Sequence, residues 1–285
     1  MKSSKITNFY RIIRYNLLER RYSGITAPFR VLPNFLVIGV GRGGTTSLYE
    51  YLGQHNCITK SAYDEIGDFD DNFHLGVNWY RSMFPTKSHK TKIIKKYGNF
   101  LTFEVTPWYI RKPWITERIQ SLLKDVRIIA VLRNPIDRTY SHYHLALRDN
   151  VISKSFDEII DEDIETLNKS FSINKDKNYF NSVVQKSFLA RSFYAEQLQQ
   201  WFNIFNKKNV LTISSENLSN NTQNTLNSIF TFLNLNHQKI PNLKKVNVGK
   251  YPPISNTIRK KLFDYFYDYN ENLFDLINHR YDWND

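Results

Sequence analysis

The sequence has a single cysteine, Cys57, among its 285 residues. It therefore has neither an internal disulfide nor a cysteine pair for a zinc site. It also lacks any run of the roughly 18 uncharged apolar residues that a membrane-spanning helix requires. Its first residues show neither the apolar stretch nor the cleavage site of a secretory signal. These absences predict a soluble, cytoplasmic protein in which Cys57 is a buried structural residue.

Acidic residues are in the minority, since 39 Lys and Arg against 27 Asp and Glu give a formal net charge of +12. A positive surface potential raises the encounter rate with nucleotides, acidic glycans, nucleic acid or anionic lipid. The charge does not select among these partners, and no recognisable nucleic-acid motif accompanies it. Hydrophobic residues make up 41% of the chain, enough to bury the core of one α/β domain.

Residues 1–33 form a basic leader in which apolar residues recur at helical spacing between arginines. The apolar positions are Phe9, Ile12, Ile13 and Leu17. Such a helix can lie on a membrane surface, pack on its own domain or contact a second subunit in a homodimer. The pattern leaves these three interpretations open.

Beyond the leader, short apolar runs alternate with amphipathic stretches. The apolar runs predict buried strands at residues 35–40, 100–105, 126–132 and 210–214. The amphipathic stretches predict helices at residues 45–54, 114–123, 135–147, 189–205, 222–233 and 254–277. This alternation predicts a doubly wound α/β fold with a mainly parallel sheet and helices on both faces. The polar residues 161–182 predict a mobile loop, either a substrate lid or a tolerated insertion.

The first predicted strand runs directly into GVGRGGTTS, residues 39–47. In parallel sheets, ligands bind beyond the carboxyl ends of the strands. Glycines there let backbone N–H groups converge, and the N-terminus of the next helix adds partial positive charge. We therefore predict a P-loop-like anion site. Its predicted ligands are the cation, glycines and hydroxyl residues of the loop: Arg42, Gly43, Gly44, Thr45, Thr46 and Ser47.

The position after the last loop glycine argues against ATP. Thr45 stands where a nucleoside triphosphatase loop has its phosphate-binding lysine. Arg42 lies inside the loop instead, where a guanidinium can stabilise negative charge that develops on a bridging oxygen.

A second strand-to-helix corner is VRIIAVLRNPIDRTYSHY, residues 126–143. Arg133 stands at the strand exit, and Ser141 lies two turns along the predicted helix. The two side chains can therefore hold one phosphate between them. The spacing equally allows an ion pair between Arg133 and Asp137, with Ser141 facing solvent.

Together these motifs resemble the sulfotransferases that use 3′-phosphoadenosine 5′-phosphosulfate (PAPS), and most closely the branch of the heparan sulfate sulfotransferases and their bacterial relatives. GVGRGGTTSLYEYL resembles the 5′-phosphosulfate loop of the family, and LRNPIDRTYSHY resembles its 3′-phosphate motif. NWYRSMFP, FEVTPWYI, LARSFYAEQLQQWF and GKYPP match further motifs in order. The likeness divides the chain into a basic extension, residues 1–33, and a sulfotransferase domain, residues 34–285.

The resemblance implies that the donor is PAPS, that its product is adenosine 3′,5′-bisphosphate (PAP), and that no metal ion takes part. It also implies which residues bind these nucleotides. It implies that Arg133 and Ser141 bind the 3′-phosphate. It also implies that Gly249 and Lys250 close over the nucleotide and that Tyr194 lies near it, although Tyr194 fits a helix core equally well.

For the acceptor side, the resemblance implies a general base. DEIGDFD, residues 64–70, matches the segment that carries the base in this branch, and the match selects Glu65. Acidic neighbours and partial burial are expected to raise the pKa of Glu65. By residue type alone the segment equally fits an exposed acidic loop or a cation site. His74 is a second candidate base, and His74, Trp108 and Tyr109 are candidate acceptor contacts, with core packing as the alternative for the aromatic residues.

Three positions depart from the branch pattern. Arg42 replaces the usual loop lysine, whereas Gly67 and Val105 replace a histidine and a lysine, which weakens a heparan-like assignment. The predicted function is sulfuryl transfer to a hydroxyl or amine of a glycan or other acceptor. In it, Glu65 is the base and Arg42 stabilises the leaving phosphate. The alternatives are a divergent P-loop nucleotide kinase or triphosphatase, and a non-catalytic module that binds polyanions.

Overall fold

The computed structural model describes residues 25–170, 183–246, 249 and 251–283. Residues 1–24 of the basic extension, residues 171–182 of the predicted loop, and Lys250 lie outside these ranges. The interpretations that rest on them stay predictions. No helix within the described ranges combines the length and apolar composition needed to cross a bilayer.

Five parallel strands form the central sheet. In chain order they are β1 (Phe35–Gly39), β2 (Ile58–Lys60), β3 (Leu101–Val105), β4 (Arg127–Leu132) and β5 (Val210–Ser214). Their spatial order is β2-β3-β1-β4-β5, and every neighbouring pair is parallel. All five residues of β1 are buried, as expected for a strand covered on both faces.

Helices cover both faces of this sheet. They are α1 (Thr45–Leu52), α2 (Gly76–Ser82), α3 (Lys87–Tyr97), α4 (Pro113–Leu122), α5 (Pro135–Arg148), α6 (Phe156–Ser170), α7 (Tyr194–Ile204), α8 (Ser215–Asn220), α9 (Thr222–Phe232) and α10 (Asn256–Ile277). Leu36 and Ile38 of β1 pack in one core with α4, α7 and α10. Phe35 and Val37 point to the other face and pack with α1 and α9. The predicted doubly wound α/β fold is confirmed.

Four of the five strands lie where the sequence predicts them, and the differences elsewhere have physical causes. Strand β2 has only three residues, too few to show an alternating pattern. Helix α3 was missed because it buries no residue and so carries no clear apolar stripe. The loop prediction was wrong for residues 161–170, which belong to α6. There Ile160 and Leu167 are buried at helical spacing.

The predicted helix at residues 189–205 was also wrong at its start. A short 3₁₀ helix, Ala190–Ser192, comes first, and α7 begins only at Tyr194. Phe193 separates the two with a non-helical backbone, φ −78° and ψ 70°.

Candidate active site

The two motifs that resemble nucleotide-binding corners follow adjacent strands. The chain leaves β1 toward β2 and β3 on one side of the sheet, and it leaves β4 toward β5 on the other. The carboxyl ends of β1 and β4 therefore form the point at which the strand order reverses, which is where ligands bind in open α/β sheets.

Glycine is required where β1 ends. Gly39 has φ +153°, and a Cβ at this position would lie 2.4 Å from the carbonyl oxygen of Val131 on β4. Gly44, with φ 85°, is the N-cap of α1 and provides no side-chain cap. The first N–H groups of α1 therefore have no partner within the helix and can bind an anion.

A cavity of about 450 Å³ lies over this helix start, and we call it the loop cavity. It is lined by every predicted residue of the phosphate loop, namely Arg42, Gly43, Gly44, Thr45, Thr46 and Ser47. Arg133, Ser141 and Gly249 line it as well. The structure thus brings the two predicted corners and the late glycine to one cavity.

Hydrogen bonds connect the two corners directly. Arg133 Nη1 donates to the Arg42 carbonyl oxygen at 2.8 Å, and Arg42 Nε donates to Ser141 Oγ at 3.0 Å. The alternative pair of Arg133 with Asp137 is not formed, because Asp137 Oδ1 accepts from Arg259 Nη2 at 2.6 Å. Ser141 does not face solvent either, since it is only 1% exposed.

Tyr194 supports this cavity from behind. It is 1% exposed, and its hydroxyl donates to the Arg133 carbonyl oxygen at 2.9 Å. It does not line the loop cavity. The hydrogen bond from Tyr194 therefore positions Arg133, and the Tyr194 side chain itself has no exposed surface for a ligand to contact.

A second cavity of about 190 Å³ adjoins the first, and we call it the arginine cavity. Its charged lining is four guanidinium groups and one carboxylate, from Arg42, Arg111, Arg138, Arg191 and Glu65. The residues that line both cavities are Gly41, Arg42, Glu65, Pro107 and Leu145. The predicted base and the predicted leaving-group cation thus both stand where the two cavities meet.

The backbone at this junction is unusual. Arg42 has φ 77° and Glu65 has φ 56°. The other non-glycine residues with positive φ in the described part of the chain are all asparagines, the residue type that tolerates this conformation best. Strained backbone held in place by its surroundings is a common feature of functional sites.

Glu65 itself is exposed, and its backbone N–H donates to the Val105 carbonyl oxygen at 2.7 Å. The expectation that Glu65 is partly buried is therefore wrong. The buried acid of this segment is instead Asp68, which is 3% exposed. Burial raises the pKa of Asp68 to about 8, with a smaller contribution from the charge of Glu104. The loop turns between these residues at Gly67, φ 68°, so that Glu65 faces the cavities and Asp68 faces the core.

The three candidate acceptor contacts differ in position. Trp108 lines the arginine cavity. Tyr109 is fully buried, and its hydroxyl donates to Glu104 Oε1 at 2.8 Å, because a carboxylate buried in the core requires donors. His74 is exposed, with Nδ1 3.0 Å from the Asp71 carbonyl oxygen, and lines neither cavity. The structure thus brings only Trp108 of the three to the site.

Sequence reasoning missed several lining residues. Tyr251, within the GKYPP motif, lines the loop cavity. Arg111, Arg138, His142 and Arg191 line the arginine cavity. A signal existed for two of them, because Arg138 and His142 flank Ser141 on the same helix and Arg138 shares its face.

Comparison with known proteins identifies the family of the chain. Residues 32–264 match the family model described as the sulfotransferase domain. This match covers more than half of the chain and therefore identifies the family. The chain belongs to the sulfotransferase domain family.

Among its relatives, the chain is 27% identical to the membrane-associated sulfotransferase kil1 of Dictyostelium discoideum, over 88% of this chain and 66% of that protein. It is 26% identical to the bifunctional heparan sulfate N-deacetylase/N-sulfotransferase 1 of Xenopus laevis, over 86% of this chain. The chain spans just under two thirds of the first relative and 30% of the second.

A sulfotransferase structure from Alicyclobacillus acidocaldarius aligns with 90% of this chain and 100% of its own, with a TM-score of 0.67 and 21% identity. At this identity the comparison shows that the two proteins share a fold.

Proposed function

We propose that this enzyme transfers the sulfuryl group of PAPS to a hydroxyl or amine of a glycan or similar acceptor. The observation that carries the proposal is the position of Glu65 and Arg42, which line both the loop cavity and the arginine cavity. Transfer requires a base on the acceptor side of the sulfur and a cation on the donor side. The junction of the two cavities offers both.

The donor is proposed to occupy the loop cavity. The N–H groups at the start of α1 and the hydroxyls of Thr45, Thr46 and Ser47 suit its 5′-phosphosulfate. Arg133 and Ser141 suit its 3′-phosphate. Ser141 Oγ already accepts from Arg42 Nε at 3.0 Å, so the Ser141 hydroxyl keeps its own proton to donate to a phosphate oxygen.

On the late segment, Gly249 lines the same cavity. Lys250 follows it in the chain and is proposed, with Gly249, to close over the nucleotide. A lysine ammonium beside glycine backbone suits a phosphate group.

The proposed reaction is an in-line displacement at sulfur. The Glu65 carboxylate takes the proton of the acceptor hydroxyl or amine, and the freed lone pair forms a bond to sulfur. The bond between sulfur and the bridging oxygen of the 5′-phosphate breaks. Its electron pair stays on that oxygen, where Arg42 and the start of α1 stabilise the charge. The products are PAP and a sulfated acceptor.

A carbohydrate acceptor is favoured by the relatives whose names specify heparan sulfate. Trp108 at the edge of the arginine cavity offers an indole face suited to stacking on a sugar ring. Gly67 and Val105 stand where the heparan-modifying branch pattern has a histidine and a lysine, so a different glycan fits these positions better than heparan itself.

Isothermal titration of the full chain with PAP and with ATP, each with and without Mg²⁺, tests the donor. We expect PAP to bind without Mg²⁺ and more tightly than ATP, because the loop lacks the lysine of a triphosphatase. Preference for ATP with a requirement for Mg²⁺ would instead indicate phosphoryl transfer. Failure to bind either nucleotide would refute the proposed donor site.

A further inference from the structure

Three guanidinium groups converge on the arginine cavity from separate segments. Arg111 ends the 3₁₀ helix Pro107–Arg111, Arg138 lies on α5, and Arg191 lies on the 3₁₀ helix Ala190–Ser192. Burial, together with the other arginines, lowers the pKa of Arg138 to about 10 and that of Arg191 to about 9. Like charges held this close are unfavourable unless an opposite charge joins them.

Carboxylates of the described residues balance this charge only from a distance, Asp70 acting on Arg111 and Asp163 acting on Arg138 and Arg191. None of the three arginines forms an ion pair within 4.0 Å of a carboxylate in that part of the chain. The carboxylate that lines the cavity is Glu65, at its junction with the loop cavity. The positive charge therefore outnumbers the negative charge by four side chains to one.

Two donors in this cluster also lack partners. The Nε atoms of Arg111 and Arg191 are buried without a hydrogen bond in the described structure. Buried donors without acceptors cost free energy, and native proteins rarely retain them without a reason. An acceptor that binds from outside the chain would satisfy them.

The cluster is held in position before any ligand arrives. Arg138 Nε donates to Ser192 Oγ at 2.5 Å, and Arg191 Nη1 donates to Nε2 of His142 at 2.7 Å. Burial and the neighbouring arginines lower the pKa of His142 to about 2. The ring is therefore neutral, and one of its two nitrogens can accept a hydrogen bond from Arg191.

We propose that the arginine cavity binds an oxyanion of the acceptor, a carboxylate or sulfate group, through Arg111, Arg138 and Arg191. This proposal rests on the proposed function, because it places the reacting hydroxyl or amine of the same acceptor at Glu65. A cavity of about 190 Å³ has room for such a group. The acceptor is then an anionic molecule whose charged group lies next to the sulfated position.

The first test is a titration with inorganic sulfate of protein saturated with PAP, at constant ionic strength set by NaCl. PAP occupies the phosphate positions of the loop cavity, so sulfate that binds in addition to PAP reports on the arginine cavity. We expect saturable binding that Arg111→Gln weakens at least tenfold. This position is suitable because the Arg111 side chain forms no hydrogen bond in the described structure whose loss would disturb the fold.

The matched control is Lys92→Gln, which removes one positive charge from an exposed position on α3 outside both cavities. It should leave sulfate binding unchanged. Equal sulfate affinity in the wild type and Arg111→Gln, or no saturable binding, would overturn the proposal. PAP affinity should be the same in all three proteins. If the wild type did not bind PAP at all, that result would instead refute the proposed donor site.

A competition distinguishes a group borne by the acceptor from a free anion. Methyl glucuronide, a sugar carboxylate, should displace sulfate from PAP-saturated protein, whereas the neutral methyl glucoside should not. Displacement only by inorganic anions would make the cavity a free-anion site and overturn the assignment to the acceptor. Displacement by both sugars alike would show that the carboxylate is not recognised, which overturns it equally.

Discussion

The loop cavity and the arginine cavity are both suited to anions, but they are built from different groups. The loop cavity combines neutral dipoles, from the N–H groups at the start of α1 and the hydroxyls of Thr45, Thr46 and Ser47, with the cations Arg42, Arg133 and Lys245 at its lining. The arginine cavity relies on full charges, with the buried Arg138 and the half-buried Arg111 and Arg191 beside Arg42. Dipoles need no counter-charge while a site is empty, whereas converging guanidinium groups repel each other. The arginine cavity therefore has more to gain from an occupant.

The largest expected effect comes from the side chain that the two cavities share. Glu65→Gln keeps the size of the side chain but cannot accept the acceptor proton, so we expect the transfer rate to fall roughly 10²- to 10⁴-fold. Single-turnover transfer from radiolabelled PAPS measures the rate, and isothermal titration should find PAP affinity unchanged.

Asp71→Asn is the control for this prediction, because Asp71 directly follows the segment of residues 64–70, is exposed and lines neither cavity. It should transfer at the wild-type rate. Retained turnover in Glu65→Gln would remove Glu65 from the role of base and make the junction a binding feature alone.

The next effect concerns the loop cavity alone. Arg133→Ala should weaken PAP by roughly 2 to 3 kcal/mol, the scale of a lost charge-assisted contact, and should affect adenosine 5′-phosphosulfate much less. Titration calorimetry with both nucleotides measures the difference. Equal losses for the two nucleotides would contradict the assignment of the 3′-phosphate to Arg133, and sulfate binding in the arginine cavity should not change.

The two cavities also differ in how far the sequence predicts them. Residues 39–47 lie next to each other in the chain, so a strand, its glycines and a helix start could be read directly. The arginine cavity joins residues 111, 138 and 191, which come together only in the folded chain, where α5 packs against Ala190–Ser192 and the 3₁₀ helix Pro107–Arg111 packs against β1 and α7. Residue type alone does not distinguish these arginines from the many exposed basic residues of the chain.

Burial was the hardest property to predict. In the segment of residues 64–70, similar acids alternate, yet Glu65 is exposed and Asp68 is buried. The direction of each side chain depends on the positive φ of Glu65 and Gly67, which no residue pattern in the segment predicts. Tyr109 was predicted to contact the acceptor because its burial could not be predicted either. In the structure its hydroxyl donates a hydrogen bond to the buried Glu104.

A smaller effect tests whether the loop cavity depends on backbone geometry. Gly39→Ala should destabilise the fold by about 1 to 3 kcal/mol, because its Cβ would meet the Val131 carbonyl oxygen at 2.4 Å. Gly41→Ala is the matched control, since its Cβ would meet no atom within 4 Å. Its stability should stay within about 0.5 kcal/mol of the wild type. Urea unfolding of both variants measures this, and equal stabilities would show that β1 and β4 can separate freely.

The smallest effect, a slope of stability with pH, concerns the acidic groups buried behind Glu65. Asp68 keeps its proton up to a pKa of about 8 in the folded chain, against an ordinary 3.8, mainly because of burial. Between these values the folded state binds more protons than the unfolded state, so stability falls as pH rises, by at most about 1.4 kcal/mol per pH unit. Asp68→Asn should reduce this slope.

The reduction is expected to be partial, because burial also raises the pKa of Glu104, which adds a slope of the same sign. Urea unfolding from pH 5 to pH 8 measures the slope, and the exposed Asp71→Asn should leave it as in the wild type. An unchanged slope in Asp68→Asn would mean that Asp68 is ionised at neutral pH.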